Sequence, residues 1–136
     1  MSIPASVFQA ACRRALCRTG SAALLLSLVP ALALAGEADV TAVKVGQTGA
    51  GVYRFEVTVR HADTGWDHYA DKWDVVAPDG TILGTRVLYH PHVDEQPFTR
   101  GLTDVSIPPG IDSVSVRAHD SVHGYGGSEQ TVEVPR

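Results

Sequence analysis

Apolar and polar residues alternate along most of the chain, which is the pattern of strands that bury one face. The clearest case follows Gly51, where Tyr53, Phe55, Val57 and Val59 alternate with charged or hydroxyl-bearing residues. Weaker alternation predicts further strands at residues 39–45, 71–77, 81–89, 98–107, 113–118 and 130–134. Beyond the first 35 residues, no stretch has helical periodicity of useful length. The pattern therefore predicts an all-β chain of about seven strands.

Turn-forming residues separate the predicted strands. Residues 78–80 read Pro-Asp-Gly and residues 108–110 read Pro-Pro-Gly, combining the fixed φ of proline with the positive φ that glycine allows. Residues 46–51 form a glycine-rich turn, and Gly84 inside the fourth predicted strand indicates a bulge. Short strands with frequent turn signals predict an antiparallel β-sandwich. A small open barrel is the alternative.

This pattern resembles immunoglobulin-like and fibronectin type III-like domains over the whole of residues 36–136. Trp73, on the third predicted strand, lies where such domains often bury a tryptophan. The resemblance implies a seven-stranded sandwich. Antibody-type domains carry a cysteine pair, but the two cysteines here are Cys12 and Cys17. The resemblance therefore implies a disulfide-free relative of these domains.

The first 35 residues have the pattern of an export signal. Three arginines between residues 13 and 18 precede an apolar run at residues 22–34, and small residues at 33–35 fit a cleavage site. The apolar run is shorter than the roughly 20 residues that a membrane-spanning helix needs. We predict a signal peptide at residues 1–35, a single domain at residues 36–136 without a membrane span, and a periplasmic or extracellular location.

Charge narrows the classes of partner. All 15 acidic residues lie after residue 35, whereas three of the 11 basic residues lie before it. The mature domain is therefore more acidic than the net charge of −4 of the whole chain. Such a charge disfavours nucleic acids and anionic membranes as partners.

The histidines are the main functional signal. If each strand crosses the domain once, alternate connections lie at opposite ends, and those at residues 61–70, 90–97 and 119–128 share one end. All six histidines lie in or beside these three connections: His61, His68, His90, His92, His119 and His123. Loops gathered at one end of a rigid sandwich are a usual place for binding.

One hypothesis for this end is a metal site, with copper or zinc as the candidate ion, because imidazoles and carboxylates suit Zn(II), Cu(II) or Ni(II). His90 and His92 are the predicted centre, since an i, i+2 spacing lets both rings point the same way and Pro91 favours extended backbone. Further candidate ligands come from the other connections and from carboxylates that bind the metal or orient a ring: His68, His119, His123, Asp94 and Asp120.

A second hypothesis is recognition of a partner protein, a peptide or a glycan. Trp66, Tyr69 and Tyr125 could supply flat, amphipathic contact area at the same end. A third hypothesis is a hydrolase-like enzyme using Ser121, but the chain has no nucleophile-elbow motif. The sequence favours an exported binding module. A metal-binding protein is the alternative and an enzyme the second alternative.

Overall fold

The computed structural model describes residues 36–136, so the predicted signal peptide lies outside the described residues. Residues 36–136 contain no helix, and therefore none that could cross a membrane. Its strands are β1 (Asp39–Gly49), β2 (Val52–Arg60), β3 (Ala70–Val76), β4 (Ile82–Val87), β5 (Phe98–Ser106), β6 (Ser113–Asp120) and β7 (Gln130–Glu133).

The strands form two antiparallel sheets. One sheet has the order β1-β2-β5 and the other has the order β4-β3-β6-β7. The apolar faces of both sheets meet in a core that contains Phe55, Trp73, Phe98 and Val116. The prediction of a disulfide-free, antiparallel β-sandwich with Trp73 in its core is therefore confirmed. The finer resemblance to immunoglobulin-like or fibronectin type III-like domains stays a prediction.

β4 ends at Val87 and not at the predicted residue 89, whereas β1 and β6 are longer than predicted. β1 continues to Gly49, so the first turn is reduced to Ala50 and Gly51, and Gly51 has a φ of +70°. β6 continues to Asp120 because its ladder with β3 extends through the pairs Lys72–His119 and Ala70–Asp120. His119 and Asp120 therefore lie on a strand and not in a loop.

The irregularity predicted at Gly84 is present, and the structure adds a reason for it. The pairing of β3 with β4 shifts register between Val75 and Val76, opposite this part of β4. A Cβ atom on Gly84 would lie 3.1 Å from Leu102 Cδ2 and 3.3 Å from Val105 Cγ2. Gly84 thus stands where the two sheets approach each other closely at their edges.

The three histidine-bearing connections meet at one end, as alternate connections should. His68 contacts Asp120 at the end of β6, and the backbone N–H of His92 donates to Asp63 in the β2–β3 loop. At the other end, the N–H of Ile107 donates to the carbonyl oxygen of Gly51 at 2.9 Å. The fold therefore gathers groups capable of binding a metal at the first of these ends.

Candidate metal centre

His61 is buried directly after β2 and is oriented by Asp63. Its Nδ1 lies 2.5 Å from Asp63 Oδ1, which also accepts the N–H of Ala70 at 3.0 Å. Asp63 Oδ2 accepts the N–H of His92 at 2.6 Å. Because a carboxylate holding these three donors accepts and does not donate, Nδ1 of His61 carries the proton. The lone pair of the imidazole is therefore on Nε2.

Asp120, at the end of β6, has an asymmetric environment. Its Oδ1 lies near four nitrogens: the N–H groups of Val122 (2.9 Å) and His123 (2.7 Å), His68 Nε2 (3.1 Å) and His123 Nδ1 (3.2 Å). Burial raises the pKa of Asp120, but the hydrogen bonds from the N–H groups of His123 and Val122 outweigh it, so the pKa lies below its usual value. Asp120 is thus a buried, ionised carboxylate.

His61, His68 and Asp120 form a compact group. One ligand atom from each residue lies within 4.8 Å of the others, and the rings of His61 and His68 are 4.7 Å apart between centroids. Within residues 36–136, His61 Nε2 and Asp120 Oδ2 are buried and have no hydrogen-bond partner. Both atoms are acceptors in these protonation states, so neither can satisfy the other. A shared cation would satisfy both.

The sequence argument missed His61, a member of this group, and Asp63, which orients the His61 ring. His68, Asp120 and the adjacent His123 were candidates, and His123 lies 4.9 Å from His68 between ring centroids. His61 had been placed at this end without a role, and Asp63 had none. The i, i+2 spacing of His61 and Asp63 was the available signal, since it lets a carboxylate orient a ring.

His92 lies outside this group. Its ring stacks on Phe98 with centroids 3.8 Å apart and planes 11° apart. Both ring nitrogens are buried and without a partner among the described residues, and Nδ1 is 3.9 Å from Asp63 Oδ2. Burial, followed by the charges of Arg100 and His90, lowers the pKa of His92 below its usual value. His92 is therefore a neutral imidazole packed within the protein.

His90 is exposed, and its Nδ1 lies 3.1 Å from the carbonyl oxygen of Pro91. Its ring lies 4.5 Å from that of His92 between centroids, with the ring planes 38° apart. Asp94 is exposed. Neither His90, His92 nor Asp94 belongs to the compact group found in residues 36–136. A site centred on His90 and His92 stays a prediction, and the geometry favours a different centre.

Ser121, the residue of the enzyme hypothesis, and the two residues before it make contacts in different directions. His119 and Asp120 are consecutive on β6 and so lie on opposite faces of the sheet. The Nδ1 of His119 is 2.6 Å from Asp71 Oδ1. The hydroxyl oxygen of Ser121 accepts the N–H of Tyr69 at 3.2 Å, which gives it a structural contact. His119 is therefore not brought to the group that contains Asp120.

The three predicted recognition aromatics differ in accessibility. Trp66 is 69% exposed, and its ring meets that of Tyr69 edge-on at 5.7 Å. The hydroxyl of Tyr125 instead donates to Asp74 Oδ2 at 2.5 Å. The guanidinium carbon of Arg117 lies over the Tyr125 ring, 4.1 Å from its centroid. Burial, and then this hydrogen bond, raises the pKa of Tyr125. Tyr125 thus holds the β6–β7 connection against the sheet.

Comparisons with known proteins give limited guidance. No family model matches the chain. It is 43% identical over 97 residues to a protein of Halomicrobium mukohataei named "Putative lipoprotein", an alignment that covers 71% of this chain and 47% of the relative. The chain thus matches about half the length of that relative. A superoxide reductase (neelaredoxin) variant from Archaeoglobus fulgidus, in the reduced form, has 11% identity and a TM-score of 0.46, with coverage of 71% of this chain and 87% of the other. That likeness is too distant to indicate function.

Proposed function

We propose that this domain binds one divalent transition-metal ion, Zn(II) or Cu(II), through His61, His68 and Asp120. The observation that carries the proposal is the pair of buried, unpartnered acceptors, His61 Nε2 and Asp120 Oδ2. Each buried acceptor left unsatisfied costs about 1–3 kcal/mol. Proteins rarely leave two such atoms in one small group, and a bound cation offsets both penalties.

The donor set fits these ions. Imidazole nitrogens and carboxylate oxygens are ordinary ligands of zinc and copper(II), at about 2.0–2.2 Å from zinc. The chain's single methionine is Met1, and its two cysteines lie before residue 36, so residues 36–136 offer no sulfur ligand for Cu(I). Asp63 holds the ring of His61 in the orientation and tautomer that coordination needs. The ligand atoms now lie within 4.8 Å of one another. Around a tetrahedral ion the distance between two ligand atoms is about 3.4 Å, so the three side chains must move closer together on binding.

A proton is the competing occupant. If His61 were doubly protonated, its ring could donate to Asp63 and to Asp120, and both orphaned acceptors would be satisfied without a metal. Calorimetric titration of chelator-treated protein with Zn(II) and Cu(II) separates the two cases. We expect one equivalent to bind, and His61→Ala to abolish binding.

His90→Ala is the matched control, because His90 is an exposed loop histidine outside the group. It should bind metal as the wild type does. If wild-type protein binds no stoichiometric metal, the proposal fails, and the nitrogen shifts of His61 in an NMR spectrum should then show both ring nitrogens protonated. If His90→Ala removes binding while His61→Ala does not, the site is centred on the His90–His92 pair.

Recognition of a protein, a peptide or a glycan is the second candidate. It rests on the large exposed indole of Trp66 beside Tyr69, which offers a flat amphipathic surface at the same end. A binding screen with Trp66→Ala as the comparison tests it. Equal retention of every hit by the variant would remove this candidate.

Export is part of the proposal. The name of the Halomicrobium relative, with 43% identity to this chain, supports a place in the cell envelope, as does the signal pattern before residue 36. Intact-mass measurement of protein released from the periplasm should give a chain that begins at Gly36. A chain that retains Cys12 and Cys17 would contradict this cleavage site.

A further inference from the structure

The four residues at the proposed metal site differ in exposure to solvent. The side chains of His61 and Asp120 are 0% exposed, and that of His68 is 15% exposed. The side chain of His123 is 38% exposed and lies against both His68 and Asp120. Of these four residues, His123 therefore has the most exposed side chain.

The backbone that carries His123 is held in place. Asp120 and Gly124 exchange two backbone hydrogen bonds of 3.1 Å, and Gly124 has the positive φ of 78° that this tight turn requires. The N–H of His123 donates to Asp120 Oδ1 at 2.7 Å. The hydroxyl of Tyr125, two residues further on, is fixed to Asp74. Movement of His123 is thus a matter of side-chain rotation on a fixed turn.

The ring of His123 makes one weak hydrogen-bond contact, to Asp120. Its Nδ1 is 3.2 Å from Asp120 Oδ1, the longest of the four nitrogen contacts to that oxygen. A carboxylate oxygen offers about two lone-pair positions, so four nitrogens compete for them. The ring can leave this oxygen at little cost, because the two shorter backbone bonds remain.

We infer that His123 is the fourth ligand of the metal and the gate through which the ion enters and leaves. In this inference, which rests on the proposed function, the ring rotates from Asp120 Oδ1 onto an ion already held by His61, His68 and Asp120. Three imidazoles and one carboxylate complete a tetrahedral set with no position open to substrate. Such a closed site retains a metal, and its release rate depends on His123.

The first test is the rate of metal release. Metal-loaded protein is mixed with excess chelator, and His123→Ala is compared with wild type and with His90→Ala. We expect His123→Ala to release the ion at least about tenfold faster, in the range typical when support for a metal site is lost. His90→Ala, which also changes an exposed loop histidine, should release the ion at the wild-type rate.

The second test reads coordination directly. Co(II) in the wild-type site should show the intense visible bands of a tetrahedral ion, and His123→Ala should weaken and shift them as water replaces the ring. A purely structural role would alter unfolding without altering these bands. Wild-type binding with unchanged release and spectra in His123→Ala would overturn the gate and leave a three-ligand site. Absence of wild-type binding would instead overturn the proposed function.

Discussion

Asp63 is the residue whose replacement tests the site most directly, and Asp63→Asn is the sharpest change because it keeps the size and shape of the side chain. The carboxylate is fully buried, with Oδ1 holding His61 Nδ1 and the N–H of Ala70, and Oδ2 holding the N–H of His92. Asparagine has one oxygen and one NH₂ group. The NH₂ group of the asparagine must therefore take the place of one carboxylate oxygen, where it would face an N–H donor that it cannot accept.

The arrangement of donors decides which side is lost. The oxygen of the introduced asparagine is expected to stay towards His61 and Ala70, because two donors are satisfied there and one on the other side. The N–H of His92 then loses a charge-assisted bond, and the remaining bonds lose the charge. Hydrogen bonds to charged groups contribute about 1.5–3 kcal/mol each. We expect a loss of roughly 2–4 kcal/mol of unfolding free energy.

Metal affinity should fall as well, because a neutral amide makes the His61 ring a poorer ligand than a carboxylate does. Loss of such a supporting group typically lowers affinity about 10–100-fold. Urea unfolding in the presence of chelator measures the first effect without metal, and calorimetry measures the second. Asp67→Asn is the matched control, since Asp67 is an exposed aspartate of the same loop. It should change neither quantity.

If Asp63→Asn has the same unfolding free energy and the same metal affinity as the wild type, Asp63 neither supports the loops nor orients His61. If it loses stability but keeps its affinity, Asp63 is a structural residue only. The assignment of the His61 tautomer would then be wrong.

Two further predictions concern the fold. Trp73→Ala should lower stability by about 3–5 kcal/mol in urea unfolding because the indole is fully buried, whereas Trp66→Ala should cost much less; equal losses would contradict the assigned core. The N–H of Ser128 is the main cause that lowers the pKa of Asp39 below 3.8, so the stabilisation from Asp39 should be complete above about 3.8 and lost as pH falls through the lowered value. The difference in unfolding free energy between wild type and Asp39→Asn should therefore shrink over that acidic range, and a difference that stays constant would refute the sign.

Strand alternation was enough to predict the fold because each element carries its own burial pattern. The alternating Tyr53, Phe55, Val57 and Val59 are all buried on one face of β2. Strand ends were less predictable, because they depend on a partner. β6 reaches Asp120 only because Ala70 pairs with it across the sheet, and no property of residues 119–120 indicates this.

The candidate site was predicted in outline and missed in detail. The order of connections placed the histidines at one end, but it could not tell which rings turn inward. His90 and His92 met the spacing expected of a ligand pair, yet Phe98 provides an apolar surface on which His92 stacks. His61 met a similar spacing with Asp63, and the buried carboxylate turned that ring towards His68.

The two buried histidines also show why the arrangement around His61 favours a ligand-binding role over simple packing. His92 is neutral and stacks on an aromatic ring, so its unpartnered nitrogens face no ionised acceptor of the compact group. His61 is held between one carboxylate that it satisfies and another, Asp120, that remains half unsatisfied. The N–H donors of Val122 and His123 explain Oδ1 of Asp120, but no donor among the described residues explains its buried Oδ2. Because Trp66 lies between His61 and His68 in the same loop, an ion bound to both histidines would also fix the surface that presents this indole. The proposed metal site and recognition through Trp66 would therefore be compatible.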